Sequence, residues 1–328
     1  MMDCEGCEGH RHQARARYVA PSRQVPLSGF LNVDKPPGLT SHDVVDAIRR
    51  VVGQRKVGHA GTLDPMATGV LLICLGKATR LAEYLMAGRK RYRATAILGM
   101  TTDTYDADGQ IVTSGGRTEF SSQELEQALS SFLGQVEQVP PAYSAIKRGG
   151  QPLYRLARQG KSVDLLPRPV EFYEIVLLDW TPPALVIEVE CSPGTYIRSL
   201  AHDLGQKLGS GAHLGALVRL RSGHFRLEDA TSLSRLEEAF EHGQGEDYLI
   251  PMDEALLDWP AMVVGAEDAR RISQGQAVRD TVHDGVPKDD GSGHALWRAY
   301  SLDGEFLAIM DYDPETGVWQ PRKVFASG

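Results

Sequence analysis

The chain has 328 residues, 42% hydrophobic and 24% charged, with a formal net charge of -8, which fits a globular protein with room for more than one domain. No apolar run is long enough to span a bilayer, since Val70 to Leu75 is far too short, and the N-terminus lacks the apolar core of a secretory signal. Cys4 and Cys7 lie in a polar tail and Cys74 and Cys191 in apparent core strands; this is no disulfide framework, and a reducing cytoplasm is the expected location.

Met1 to about residue 24 is polar and lacks apolar periodicity, so a disordered tail is expected. Its Cys4, Cys7, His10 and His12 are residue types that bind zinc, but they lack the wider spacing of a folded zinc module, and no metal site is expected. Gly29 to Val33 reads as a strand and Asp34-Lys35-Pro36-Pro37-Gly38 as a turn. Ser41 is placed to cap a helix with a stripe of Val44, Ile48, Val51 and Val52 that ends at Gly53. Next comes Gly58-His59-Ala60-Gly61-Thr62-Leu63-Asp64-Pro65-Met66-Ala67-Thr68-Gly69. Pro65 fixes its own φ and biases Asp64 to an extended conformation. A carboxylate held there is placed either as a catalytic group or as an ordinary Asx-turn.

The buried strand Val70 to Leu75 and a short helix with Leu81, Tyr84 and Leu85 follow. Lys90 to Gly99 is a further strand. Its Tyr92, flanked by Arg89, Lys90, Arg91 and Arg93, either stacks on a base whose phosphates the cations hold, or caps the core. Thr101 to Gly109 is a polar loop whose acidic spacing does not fit an EF-hand. Ser121 and Glu124 form a capping box before Leu125, Ala128, Leu129 and Phe132, and Gly134 ends that helix.

Between Pro140 and Val170 the chain carries Lys147, Arg148, Arg155, Arg158, Lys161 and Arg168 against Asp164 alone. The acidic excess lies instead between Glu228 and Asp258, where Arg235 is the only Lys or Arg. The basic segment reads as an excursion from the sheet, helical around Leu153 to Arg158: a solvated helix, or a flap over a polyanion. Strands are expected at Phe172 to Trp180 and Leu185 to Cys191. Thr195 then caps a helix with apolar Ile197, Leu200, Ala201, Leu204 and Leu208. Arg198 in its first turn opposes the helix dipole, which suggests an anion for it to face. Gly211-Ala212-His213-Leu214 and Leu217 to Leu220 lead into another strand. After Ile250 the pattern becomes short β segments at Met262 to Val264, Ala295 to Tyr300, Phe306 to Met310 and Trp319 to Phe325, with hairpin turns at Asp303-Gly304 and Thr316-Gly317.

The Asp64 loop, the Lys35-Pro36 turn with its Ser41, Lys90-Arg91-Tyr92-Arg93, Gly194-Thr195-Tyr196-Ile197-Arg198 and Gly211-Ala212-His213-Leu214, in this order, resemble the motifs of the TruB family of bacterial tRNA pseudouridine-55 synthases. The resemblance covers nearly everything after the tail. It implies an α+β pseudouridine synthase fold: a mixed, mostly antiparallel central sheet flanked by helices, with a thumb insertion at about 143–165 and a small C-terminal PUA-like β-barrel. The implied division is a tail at 1–24, a catalytic domain at 25–250 and an RNA-binding module at 251–328.

The implied reaction is isomerisation of a T-loop uridine by breaking its N-glycosidic bond and rejoining the base through C5. Asp64 is then the catalytic carboxylate and Arg198 its partner. Tyr92 stacks on the base, Tyr196 lies against the nucleotide, Leu217 is an apolar wall, and His59 enters the T-loop. Lys35 supports the active-site loops or meets a phosphate. No cofactor is implied, which agrees with the absence of a P-loop or Rossmann fingerprint. The expected partner is the tRNA T-arm, with no membrane and no obligate protein partner, and the protein is expected to be a monomer. An RNA-folding helper that pries open the tRNA elbow is the alternative from another class. A relative working inside a guide-RNA complex is a third, weakened by the lack of basic archaeal-type extensions and by the bacterial-looking thumb.

Overall fold

A computed structural model describes residues 26–141, 166–279 and 296–326, with the backbone of short strands β8 (Lys147–Arg148) and β9 (Gln151–Pro152). The cysteine-bearing tail and most of the expected thumb lie outside the described residues.

The N-terminal part begins with β1 (Gly29–Lys35), α1 (Ser41–Val52), β2 (Val57–Ala60) and β3 (Thr68–Leu75). It continues through α2 (Ala82–Ala87), β4 (Lys90–Leu98), β5 (Met100–Thr102), β6 (Ile111–Ser114), α3 (Ser122–Ser130) and β7 (Gly134–Gln138). After β8 and β9 come β10 (Arg168–Thr181), β11 (Ala184–Cys191), α4 (Ile197–Lys207), β12 (Ala212–Ser222), β13 (Phe225–Arg226), β14 (Thr231–Ser232) and α5 (Leu233–Glu241). The main sheet runs β14-β1-β3-β12-β4-β11-β10-β7, with β2 on β3 and β13 on β12. Only β1–β14 and β3–β12 are parallel, so the sheet is mixed and mostly antiparallel, as expected.

Local chemistry sets most of these boundaries. The cap of α1 is Thr40, which forms a capping box with Asp43. Ser41, expected as the cap, is buried instead, and its hydroxyl accepts from Leu63 N at 2.8 Å and donates to Leu63 O at 3.1 Å. Two neighbouring hydroxyls could serve as the cap, and tertiary packing assigns one to each task. Gly53 closes α1 with a left-handed φ of 70°, a conformation glycine adopts without penalty. Ser121 and Glu124 form the expected capping box on α3. At α4 the expected cap fails: Tyr196 occupies the cap position, and the Thr195 hydroxyl donates backwards to Ser192 O at 2.9 Å.

β3 is apolar without alternation because both of its faces are covered. Leu71, Ile73 and Leu75 pack into the main core with Val44, Ile48, Leu125 and Leu204. Val70, Leu72 and Cys74 face Phe30, Leu81, Phe225, Ile309 and Phe325. The last two belong to the C-terminal module of β15 (Ala261–Val263), α6 (Ala266–Ser273), β16 (Val278–Arg279), β17 (Leu296–Tyr300), β18 (Phe306–Asp313) and β19 (Val318–Val324). Its sheet runs β15-β17-β18-β19-β16 around Trp297 and Trp319. Lys77 Nζ donates to Phe325 O and Ala326 O at 2.8 and 2.9 Å, and Tyr84 meets Trp259 edge-on at 5.0 Å. No helix among the described residues is long and apolar enough to cross a membrane.

The arginines of the basic cluster at the start of β4 face carboxylates of neighbouring strands. Strand alternation turns Lys90 and Tyr92 inward and Arg91 and Arg93 outward. Arg91 pairs with Glu188, Glu174 and Glu190 at 2.9, 2.6 and 2.6 Å. Arg89 and Arg221 also reach Glu190, and Arg93 reaches Glu188. Cross-strand carboxylates on β11 and β10 therefore engage Arg91 fully, while Arg89 and Arg93 stay more than half exposed.

Candidate active site

The loop between β2 and β3 carries Asp64 and is held from several directions. Gly38 N donates to Pro65 O at 2.8 Å, and Ser41 brackets Leu63. Arg219 of β12 is buried beneath the loop; its Nε donates to Val70 O at 2.6 Å and its Nη2 to Gly61 O at 3.1 Å. This approach requires glycine at 69, where φ is 95° and a Cβ would fall 2.3 Å from Arg219 O.

Asp64 and Arg198 form a two-point ion pair. Arg198 Nε lies 2.9 Å from Asp64 Oδ2, and Nη2 donates to Oδ1 at 2.9 Å. Such paired contacts fix orientation as well as charge. The remaining Nη1 faces Asp106 Oδ2 at 3.2 Å and Thr104 O at 3.4 Å. Arg198 and Asp106 keep only 6% and 7% of their side chains exposed, whereas 31% of Asp64 stays open. Burial raises the Asp64 carboxyl from its ordinary value; the Arg198 guanidinium pulls it down and the Asp106 carboxylate pushes it up. With two charge-assisted contacts on the carboxylate, the pair favours the anion a nucleophile or base needs.

Asp64 and Arg198 open on a cavity of about 310 Å³, walled by Tyr92, Tyr196, Leu217, Lys90 and Arg219 among others. Tyr92 on β4 lies opposite Arg219 on β12, and Leu217 opposite Ala94, so adjacent strands supply the aromatic and the aliphatic wall. Burial pushes the Tyr92 phenol up and keeps it neutral. Lys90 Nζ donates to Leu85 O, Met86 O and Gly88 O at 3.2, 3.2 and 2.6 Å, and burial lowers its pKa to about 8.

Two family models match the chain: the N-terminal domain of TruB family pseudouridylate synthases over residues 49–197, and the C-terminal domain of tRNA pseudouridylate synthase B over residues 198–257. The tRNA pseudouridine synthase B of Syntrophotalea carbinolica is 45% identical over 308 residues, covering 92% of this chain and 99% of that protein. The chain belongs to the TruB family. The protein of the same name from Geobacter sulfurreducens is 42% identical, covering 89% of this chain and 95% of its own. Among solved structures, an H/ACA RNP bound to a substrate RNA containing 2′-deoxyuridine aligns with a TM-score of 0.69 at 26% identity, over 91% of this chain and 85% of that one. A Cbf5-Nop10-Gar1 complex aligns equally well at 28% identity. These neighbours give this TruB member a pseudouridine synthase fold.

Of the residues singled out from sequence, Asp64, Tyr92, Tyr196, Arg198 and Leu217 meet at one cavity. His59 does not line it. It sits on β2 opposite Ile73, and burial lowers its pKa, with His42 and Arg219 adding to the effect; the ring is neutral at pH 7. Lys35 does not line the cavity either. It is fully buried, and its ammonium donates to Pro36 O, Leu39 O and Pro65 O at 2.9, 2.6 and 3.1 Å. Burial brings its pKa to about 8. These bonds tie the Pro36–Leu39 turn to the Asp64 loop.

Sequence reading missed Asp106, Arg219 and Lys90 as parts of the site. Period-2 alternation marks Lys90 as inward once β4 is assigned. Asp106 carries no local mark, since its loop reads as a polar turn and its partner lies 92 residues away. Among the described residues no cluster of His, Cys, Asp and Glu could hold a metal.

Proposed function

We propose that this chain isomerises uridine to pseudouridine at position 55 in the T-loop of tRNA, with Asp64 as the catalytic carboxylate. The observation that carries the reading is the Asp64–Arg198 pair at the floor of a cavity with one aromatic and one aliphatic wall. That cavity lies at the lower end of the ligand-pocket range, roughly 300 Å³ and upward, which suits a single extruded nucleoside. The named relatives are tRNA pseudouridine synthases and favour an enzyme over an RNA-folding helper. Position 55 rests on the motif resemblance.

Extruding the uridine costs on the order of a few kcal/mol, and stacking on Tyr92 returns roughly 1–3 kcal/mol. Tyr196 and Leu217 close the other sides. The N1–C1′ bond breaks, the base turns, C5 bonds to C1′, the C5 proton leaves and N1 gains a proton, so no atom or electron is supplied from outside. Asp64 acts as the anion whether it attacks C1′, attacks C6 or takes the C2′ proton. RNA over the cavity excludes water and strengthens the Arg198 contact. In this reading residues 25–250 carry the chemistry and 251–328 add RNA contacts. His59 enters the T-loop as a neutral ring, the thumb at 143–165 covers the RNA arm, and the chain works as a cytoplasmic monomer without a protein partner.

The test is Asp64→Asn assayed by tritium release from a T-arm stem-loop labelled at uridine C5. Turnover is expected to vanish while RNA affinity stays within about threefold. Retained turnover would sink the mechanism. Release from a different uridine would remove position 55 alone.

A further inference from the structure

Tyr196 stands at the cap position of α4, yet no side chain caps that helix, and the preceding Thr195 is turned back to Ser192. A residue from another part of the sheet binds Tyr196. Gln138, the last residue of β7, is 4% exposed. Its Oε1 accepts from Tyr196 N at 2.8 Å, and its Nε2 donates to Tyr196 O at 3.0 Å. One planar amide thus binds both backbone groups of one residue, as a neighbouring strand would. The next residue extends the tie: Val139 O accepts from Ser199 Oγ at 2.8 Å. The first turn of α4, which carries Tyr196 and Arg198, is stapled to the end of β7.

Gln138 also borders a second cavity of about 310 Å³, with Phe172, Leu200, Asp203 and Lys207 in its lining. The clamp is not needed to build the sheet, because β7 is paired to β10 from Gly134 to Gln138 by backbone bonds. The groups it orders are a second aromatic of the active cavity and, two residues on, the partner of Asp64.

We propose that Gln138 is a positioning residue for the isomerisation, clamping Tyr196 and with it the Arg198 turn in the geometry the nucleotide meets. The proposal rests on the functional reading above. Gln138 touches neither the substrate nor Asp64 and acts through Tyr196.

The test uses the full chain and two variants. In Gln138→Ala both contacts are lost, and kcat on the T-arm is expected to fall on the order of ten- to a hundredfold, as small misplacements near a reacting centre do, with KM changed by less than about threefold. In Gln138→Glu the protonated acid restores one donor and one acceptor, while the carboxylate sets an oxygen against Tyr196 O. Burial and that facing carbonyl raise the new acid's pKa. The charged groups around it are Glu137 beside it, Arg168 opposite on β10, and Asp203 and Lys207 on α4. The ratio of Gln138→Glu to wild-type kcat is therefore expected to climb as pH falls from about 8 to about 5.5; a residue serving the fold alone gives a flat ratio. A Gln138→Ala kcat within about twofold of wild type, or a flat ratio, overturns the proposal. Amide exchange at Tyr196 needs no substrate. Lost protection in Gln138→Ala supports the clamp even if the wild type ignores the T-arm, in which case the functional reading is what has failed. Unchanged protection overturns the clamp.

Discussion

Arg198 is held by two carboxylates, and removing the one away from the cavity tests whether the arrangement is catalytic. In Asp106→Asn the new amide oxygen can keep the contacts that Asp106 Oδ1 makes with Thr104 Oγ1 at 2.5 Å and Asp108 N at 3.2 Å. Its NH₂ then faces Arg198 Nη1, donor against donor, where a carboxylate stood at 3.2 Å. A hydrogen bond to a charged group contributes about 1.5–3 kcal/mol. The side chains at this contact are nearly inaccessible, so little solvent screening reduces that figure. If that energy serves to hold Arg198 on Asp64 in the transition state, kcat falls about ten- to a hundredfold at 1.36 kcal/mol per decade.

The pH profile gives a second, independent reading. In the proposed reaction Asp64 works as the anion, so activity is expected to decline as pH falls through its folded pKa, which lies above the ordinary carboxylate value. Asp106 is one of the groups that raise it. Its loss lowers that pKa, and the acid limb moves to lower pH even as the plateau drops. Single-turnover tritium release between about pH 5 and pH 8 measures both, and a melting curve separates misfolding from misplacement. A plateau within twofold of wild type together with an unmoved acid limb would refute the two-carboxylate account.

Three further substitutions test the framework of the site. Lys35→Met leaves three carbonyls without their shared donor, and a loss on the order of 2–4 kcal/mol in urea unfolding is expected. Lys35 and Lys90 have folded pKa values near 8 against 10.5 unfolded, so the unfolded chain binds more protons between those values and stability rises with pH across that window; Lys35→Met should flatten the rise, and an identical slope would contradict it. Because Arg91 is saturated by three glutamates, Arg91→Gln should leave the salt dependence of RNA binding unchanged, whereas a slope reduced by about 0.9 would mean a phosphate contact. Gly69→Ala places a methyl 2.3 Å from Arg219 O at a φ of 95°, and a thermal loss equivalent to about 2 kcal/mol or more is expected; near-native melting would show that β3 and β12 can move apart.

Much of this was legible where the signal is local. The run Lys90 to Gly99 marked β4, the capping box of Ser121 and Glu124 placed α3, and the glycine and proline pattern around Asp64 marked a rigid loop. The helix α5 was equally legible, with Ser232 as its cap and Leu233, Leu236 and Ala239 on its buried side, but the surrounding acidic run drew attention to charge instead of period. What the sequence hid was non-local pairing. Arg91 looked basic because the glutamates that neutralise it lie 83 to 99 residues on. The burial of Lys35 leaves no mark, because its three acceptors are backbone carbonyls, which leave no trace in residue identity. Thr40 and Ser41 were indistinguishable as caps until Leu63 claimed one of them.

The strand order explains why the site needs so many buried cations. β4 lies between β12 and β11, and β12 runs parallel beside β3 with Val218 opposite Thr68 and Arg219 opposite Gly69. With no side chain at 69, the β12 backbone comes close enough for the Arg219 guanidinium to reach Gly61 and Val70 carbonyls. Lys35 holds Pro65 O from the β1 side and Lys90 ties β4 to the end of α2. Each of these cations binds carbonyl oxygens, so each fixes backbone and lends the cavity positive potential without bonding the Asp64 carboxylate. Asp64 is bonded by Arg198, whose own position is set by Asp106 behind it and by the clamped turn of α4. Replacing a cation that holds backbone should therefore cost stability and activity together. Replacing Asp106 or Gln138 should cost activity first, and that difference separates the scaffold of the loop from the aim of its carboxylate.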